Sequence, residues 1–143
     1  TFRPILLDGD GDLIWRSEAR VYSVAPQITV ADLDADGVVD VIADNVRLSG
    51  IDGSVINWYP VSASMEFRMP AVGDVDLDVQ QEVIIGNSLF EPNGKRSWTA
   101  PVQGAWGHWN AIMDADGDPY GEIAMVADGR LLIIDIVMGV VKS

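Results

Sequence analysis

The chain has 143 residues, 48% of them hydrophobic, with a formal net charge of −13 and no cysteine. That is enough apolar sequence for one packed domain, and it argues against wholesale disorder. The missing cysteines exclude disulfides, thiolate catalysis and cysteine-ligated zinc or iron–sulfur centres, and the absence of a basic stripe makes nucleic acid a poor partner.

In chain order, the segments read as short strands separated by turn residues. PILLDGD and DLIWRSE form a first hairpin around Gly11. ITVADLD, VIAD, VRLSGID and VINWYP follow, with a turn at Asp52-Gly53. PAVGDVD, EVIIGN, SLFEP and KRSWTA come next, with a turn at Asn93-Gly94. WNAIMDAD, EIAMVAD, RLLIIDI and VVKS close the chain, with a turn at Asp128-Gly129. No segment sustains a 3.6-residue apolar period, so no helix is expected. No apolar run is long enough to cross a bilayer. The chain opens on Thr1 without a signal peptide, as expected of a processed product or an excised fragment.

Three acidic loops recur through these segments. They are DLDADGVVD, DVDLDVQQE and DADGDPYGE, and their starts lie 42 and then 40 residues apart. Positions 1, 3, 5 and 9 carry Asp32, Asp34, Asp36 and Asp40 in the first loop. They carry Asp74, Asp76, Asp78 and Glu82 in the second, and Asp114, Asp116, Asp118 and Glu122 in the third. Four carboxylates within nine residues repel one another unless a cation sits among them. Turn propensity favours Asp and Gly but does not require acids at four fixed positions. A hard cation with oxygen ligands does, and the backbone carbonyls of Val38, Gln80 and Tyr120 at position 7 can join the shell. Up to three Ca²⁺ ions are therefore expected. Mg²⁺, which demands tighter geometry and keeps its waters, fits less well.

An EF-hand is excluded. Its loop needs a bidentate Glu at position 12 and a helix on each side. Position 12 is Ala43, Ile85 and Met125 in the three loops, and the flanks are β-branched and apolar.

A period near 40 residues with four short strands per unit matches blades of a β-propeller. Trp15, Trp58 and Trp98 reinforce it. They lie 43 and 40 residues apart, each shortly after a turn glycine, and are expected to pack between blades; the fourth instance is expected near Met138 to Val140, its Trp lost. The fold class expected is all-β, about three and a half blades of four antiparallel strands. Its parts are an outer half-blade at 1–20 and blades at 21–62, 63–104 and 105–143. Propellers close with about 4–8 blades, so ring closure requires copies of the chain or further blades of a longer one.

DLDADGVVD resembles the D-x-D-x-D-G-x-x-D hairpin of the FG-GAP and VCBS repeats, the propeller type of integrin α-subunits. The resemblance covers the chain after residue 20. It implies a Ca²⁺-binding hairpin between the first two strands of each blade and a non-enzymatic adhesion or recognition scaffold. Loops two and three carry Val79 and Pro119 where Gly37 stands, so they are expected to turn differently and to bind more weakly or not at all. The Gly-then-Trp segments also resemble the outer hairpins of quinoprotein propellers. The alternatives are thus the propeller portion of a polysaccharide lyase or a quinoprotein-like enzyme, or a propeller fragment or designed repeat unit that only self-assembles.

Ca²⁺ modules of millimolar affinity fill outside the cell and stay empty in cytosol, which points to an extracellular, periplasmic or cell-surface location. Catalysis has little support, with one His, no Cys and no nucleophile elbow. Trp106, His108 and Trp109 could form an aromatic patch for a glycan or protein ligand, although packing between blades accounts for them better.

Overall fold

A computed structural model describes residues 1–22, 26–61, 69–102, 109–127 and 129–142. Trp106 and His108 lie outside them. Among the described residues there are strands and no helix, so none crosses a membrane as a helix.

The strands form one two-stranded and three four-stranded antiparallel sheets, each assembled in sequence order. The first pairs β1 (Ile5–Leu7) with β2 (Leu13–Arg16). The second contains β3 (Ile28–Ala31), β4 (Asp40–Ala43), β5 (Val46–Ser49) and β6 (Val55–Trp58). The third contains β7 (Ala71–Gly73), β8 (Glu82–Ile85), β9 (Ser88–Phe90) and β10 (Arg96–Thr99). The fourth contains β11 (Trp109–Met113), β12 (Glu122–Ala127), β13 (Arg130–Asp135) and β14 (Val141–Lys142). Four strands per repeat is what the turn spacing predicts. The sheet order follows from the hairpin connections, which leave each strand beside its predecessor.

The second strand of each repeat sets how the sheets stack. Every residue of β4 and β8 is buried, so both faces are covered. Side chains alternate across a strand, and each face feeds a different core. Val41 and Ala43 join Trp15 and Leu48 against the two-stranded sheet. Ile42 faces the other way, with Val83, Ile85, Tyr59 and Phe90, between the second and third sheets. Ile84 packs with Ile123, Met125 and Ile134 between the third and fourth. The first strands β3, β7 and β11 are neighbours, and the Thr29 hydroxyl donates to the Pro70 carbonyl at 2.8 Å. The sheets therefore stack face to face with their first strands together.

The outer edges are fastened by turn glycines. Gly53, Gly94 and Gly139 all hold positive φ in the hairpin before the fourth strand. The indole of Trp15 lies over Gly53, where a Cβ would come within 2.5 Å of the ring, and its Nε1 donates to the Gly50 carbonyl at 2.9 Å. Trp98 covers Gly139 in the same way and donates to the Ile136 carbonyl.

The tryptophan ladder departs from its expected form at two places. Trp58 is 46% exposed, whereas Trp15 is 7% exposed. Trp98 lies opposite Leu89, but at the matching level of the second sheet Arg47 faces Asn57, and Trp58 is displaced by one residue to face Val46. The slip places Asn57 over Gly94 and turns the Trp58 ring outward. The fourth turn glycine is Gly139, so the residue matching Trp15 and Trp98 falls after the expected Met138 to Val140.

Trp98→Ala should therefore cost on the order of 3 kcal/mol and Trp58→Ala no more than about 1 kcal/mol, read from urea unfolding. Equal losses would contradict this division of roles.

Candidate metal sites

Each acidic loop joins the first and second strands of a four-stranded sheet, and local hydrogen bonds shape it. The position 1 carboxylate folds the loop over itself. Asp32 accepts from the amides of Asp36 and Gly37, and Asp74 from those of Asp78 and Val79. Asp114 accepts from the Gly117 amide at 2.6 Å. The position 5 acids accept from the amide two residues on, at Val38, Gln80 and Tyr120. The position 9 acid is buried in all three loops. It clamps the amide at position 2: Asp40 that of Leu33 at 3.2 Å, Glu82 that of Val75 at 3.0 Å and Glu122 that of Ala115 at 2.8 Å.

These loops gather carboxylates into three groups. Asp32, Asp34 and Asp36 each offer an oxygen within 4.8 Å of the others, as do Asp74, Asp76 and Asp78. The third group contains Asp114, Asp116 and Glu122. Asp118, Asp40 and Glu82 are not members of these groups, although Asp40 shares an Arg47 nitrogen with Asp34. An all-oxygen donor set of this kind suits a hard cation such as Ca²⁺.

Val79 turns loop two as Gly37 turns loop one, with φ of 82° against 86°. The expectation of a different turn there is corrected: the hydrogen bond from the Val79 amide to Asp74 holds a β-branched residue in the left-handed region. Loop three does differ. Its left-handed residue is Gly117, and Pro119 lies outside that region.

Two basic residues that sequence reading passed over sit on these acids. Arg47, from β5 and 4% exposed, donates through one terminal nitrogen to Asp34 at 2.6 Å and Asp40 at 2.7 Å. Burial opposes its charge, but the bonds to Asp40 and Asp34 outweigh it and raise its pKa above the ordinary arginine value. Lys142, from β14, reaches Asp116 at 2.7 Å and Glu122 at 2.8 Å. Its hydrogen bonds to Asp116 and then Glu122 raise its pKa, and Lys142 in turn lowers that of Asp116. An arginine within the apolar run VRLS was the available signal for the first; an isolated lysine at the end of the chain gave none.

Among the described residues Glu82 has no such partner. Burial, reinforced by repulsion from Asp76 and Glu91, pushes its carboxyl up to about 7 against the bond from the Val75 amide. Asp76 is raised too, by burial and then by Asp78.

No model of a protein family and no curated protein matches the chain. Among solved structures, the biofilm matrix protein Bap1 of V. cholerae is similar, with a TM-score of 0.80 over all of this chain and 20% identity. The chain spans 24% of that protein's length.

Val79→Gly should raise stability by about 1 kcal/mol in a urea titration by removing left-handed strain, and no gain would show that the loop holds Val79 without cost. In chelator, Glu82 should make stability fall with pH. Its folded pKa lies above the ordinary carboxyl value of 4.5, so its contribution is full below that value and is lost as pH rises through about 7. Urea unfolding at pH 5 and 8 should show Glu82→Gln with the shallower dependence.

Proposed function

We propose that the chain is a segment of a Ca²⁺-stabilised β-propeller of the FG-GAP/VCBS type, serving as a non-enzymatic adhesion or recognition scaffold outside the cell. One observation carries the reading: three hairpin loops at the same place in successive sheets, each gathering three carboxylates into one group. Asp32, Asp34 and Asp36 would hold one ion, Asp74, Asp76 and Asp78 a second, and Asp114, Asp116 and Glu122 a third. The ion supplies charge neutralisation and cross-links the hairpin, so its binding free energy becomes folding free energy. Arg47 shares Asp34 with the first of these groups, and Lys142 shares Asp116 and Glu122 with the third, so each base would compete with or supplement the ion at those carboxylates.

Face-to-face stacking with adjacent first strands supports the propeller, with blades at 21–62, 63–104 and 105–143 after a half-blade at 1–20. The end sheets support incompleteness. Ile5, Leu7 and Ile14 are exposed at one end, and Trp109, Val126 and Leu131 at the other. Apolar faces of this kind call for cover, from further blades of a longer chain or from another copy. The likeness to a biofilm matrix protein favours an adhesive role and an extracellular setting, with a glycan or protein as ligand.

Urea unfolding in saturating Ca²⁺ and in EDTA tests the metal. At a hundredfold excess over Kd, each occupied site adds about 2.7 kcal/mol. Asp32→Ala, Asp74→Ala and Asp114→Ala will each lower stability in EDTA through lost turn bonds, so the readout is the difference between the two conditions, which each should reduce. A wild-type chain equally stable in both would overturn the Ca²⁺ reading.

A further inference from the structure

The third and fourth strands of each four-stranded sheet place two side chains opposite one another at one recurring level. The pair is Arg47 and Asn57 in the second sheet, and Ile133 and Lys142 in the fourth. Each pair contains one base, and that base closes on the acids at positions 3 and 9 of its own loop. In the third sheet the pair is Leu89 and Trp98, with no base at all. The acids it should neutralise, Asp76 and Glu82, remain. Glu82 is 2% exposed, and its Oε1 has no hydrogen-bond partner among the described residues.

A cavity of about 160 Å³ lies at this spot, between the third sheet and the β13–β14 turn. Asp76, Glu82 and Glu91 line it together with Leu89, Trp98 and Ile136. Its acids and its apolar wall are therefore close together. A hard metal ion seeks six or more oxygens and has no use for an indole and aliphatic wall. A long basic side chain uses both, with its stem along the apolar surface and its charged head at the carboxylates.

We propose that this cavity receives a lysine or arginine side chain of a protein partner. The incoming cation takes up the position 3 and 9 acids of loop two, as Lys142 Nζ takes up Asp116 and Glu122 at 2.7 and 2.8 Å. A protein side chain is the occupant because protein side chains fill this role twice within the chain itself. The proposal goes beyond the metal loops: it shares Asp76 with the second carboxylate group but is anchored on Glu82, which lies outside that group.

The test is a tripeptide with one central lysine, blocked at both ends, titrated at physiological salt while the Trp98 indole N–H resonance is followed by NMR. Its ε-acetylated analogue is the control, and the titrations are run in Ca²⁺ and in EDTA. The lysine peptide should shift the resonance in both conditions, and the acetylated one should not. Glu82→Gln should weaken binding about tenfold or more, whereas Asp10→Asn, which removes one exposed charge elsewhere, should not. Leu89→Arg should abolish binding by placing the missing guanidinium inside the chain. If that variant misfolds, the Glu82→Gln comparison decides. No binding, equal binding of the acetylated peptide, or equal effects of Glu82→Gln and Asp10→Asn would each overturn the proposal. Binding seen in EDTA and lost in Ca²⁺ would assign the cavity to the metal and overturn it as well.

Discussion

A carboxylate clamps an amide in each hairpin and, in doing so, becomes buried. Asp40, Glu82 and Glu122 hold the loop to the second strand of their sheets through the amides of Leu33, Val75 and Ala115. The bond shapes the hairpin, but it takes a charge out of water, and a buried charge is costly unless paired. Arg47 and Lys142 supply the pairing in two sheets. In the third the cost remains as a raised carboxyl pKa and an unbonded oxygen. The placement of Arg47 and Lys142, and the unpaired Glu82 beside the cavity at Trp98, follow from this single requirement.

The repeat architecture was legible because it is written in spacing. Carboxylates at fixed intervals, turn glycines and short alternating runs give the strand count of every sheet, since period-2 alternation and tight turns are local properties. The acids that gather in each loop were legible for the same reason. Long-range pairings were not. Arg47 reads as one polar residue in an apolar strand, and nothing local shows that its guanidinium spans two acids, one of them 13 residues upstream. Trp58 misleads when the spacing between tryptophans is read and not the spacing from the turn. It lies five residues after Gly53, whereas Trp15 and Trp98 lie four after Gly11 and Gly94, and the bulge before this level is common to all three hairpins. Val79 misleads in the opposite sense: propensity argues against φ of 82°, and two hydrogen bonds donated by successive amides to Asp74 override it.

Similarity in shape without similarity in sequence fits this account. At 20% identity, the likeness to the biofilm matrix protein rests on backbone arrangement. Stacked sheets tolerate wide substitution so long as alternation and turn chemistry are kept. The charges at positions 3 and 9 and their partners are where such a scaffold can diverge between one repeat and the next.

The burial of β4 and β8 on both faces bears on how the molecule gains its order. A sheet covered on both sides owes its core to its two neighbours, so no four-stranded unit is complete alone. Folding then spreads from sheet to sheet, and stability grows with each added contact surface, as in linear repeat arrays. Stripping a terminal sheet would expose one surface and soften the next sheet inward, while the far end kept its packing. The molecule would erode from its ends instead of collapsing as a whole.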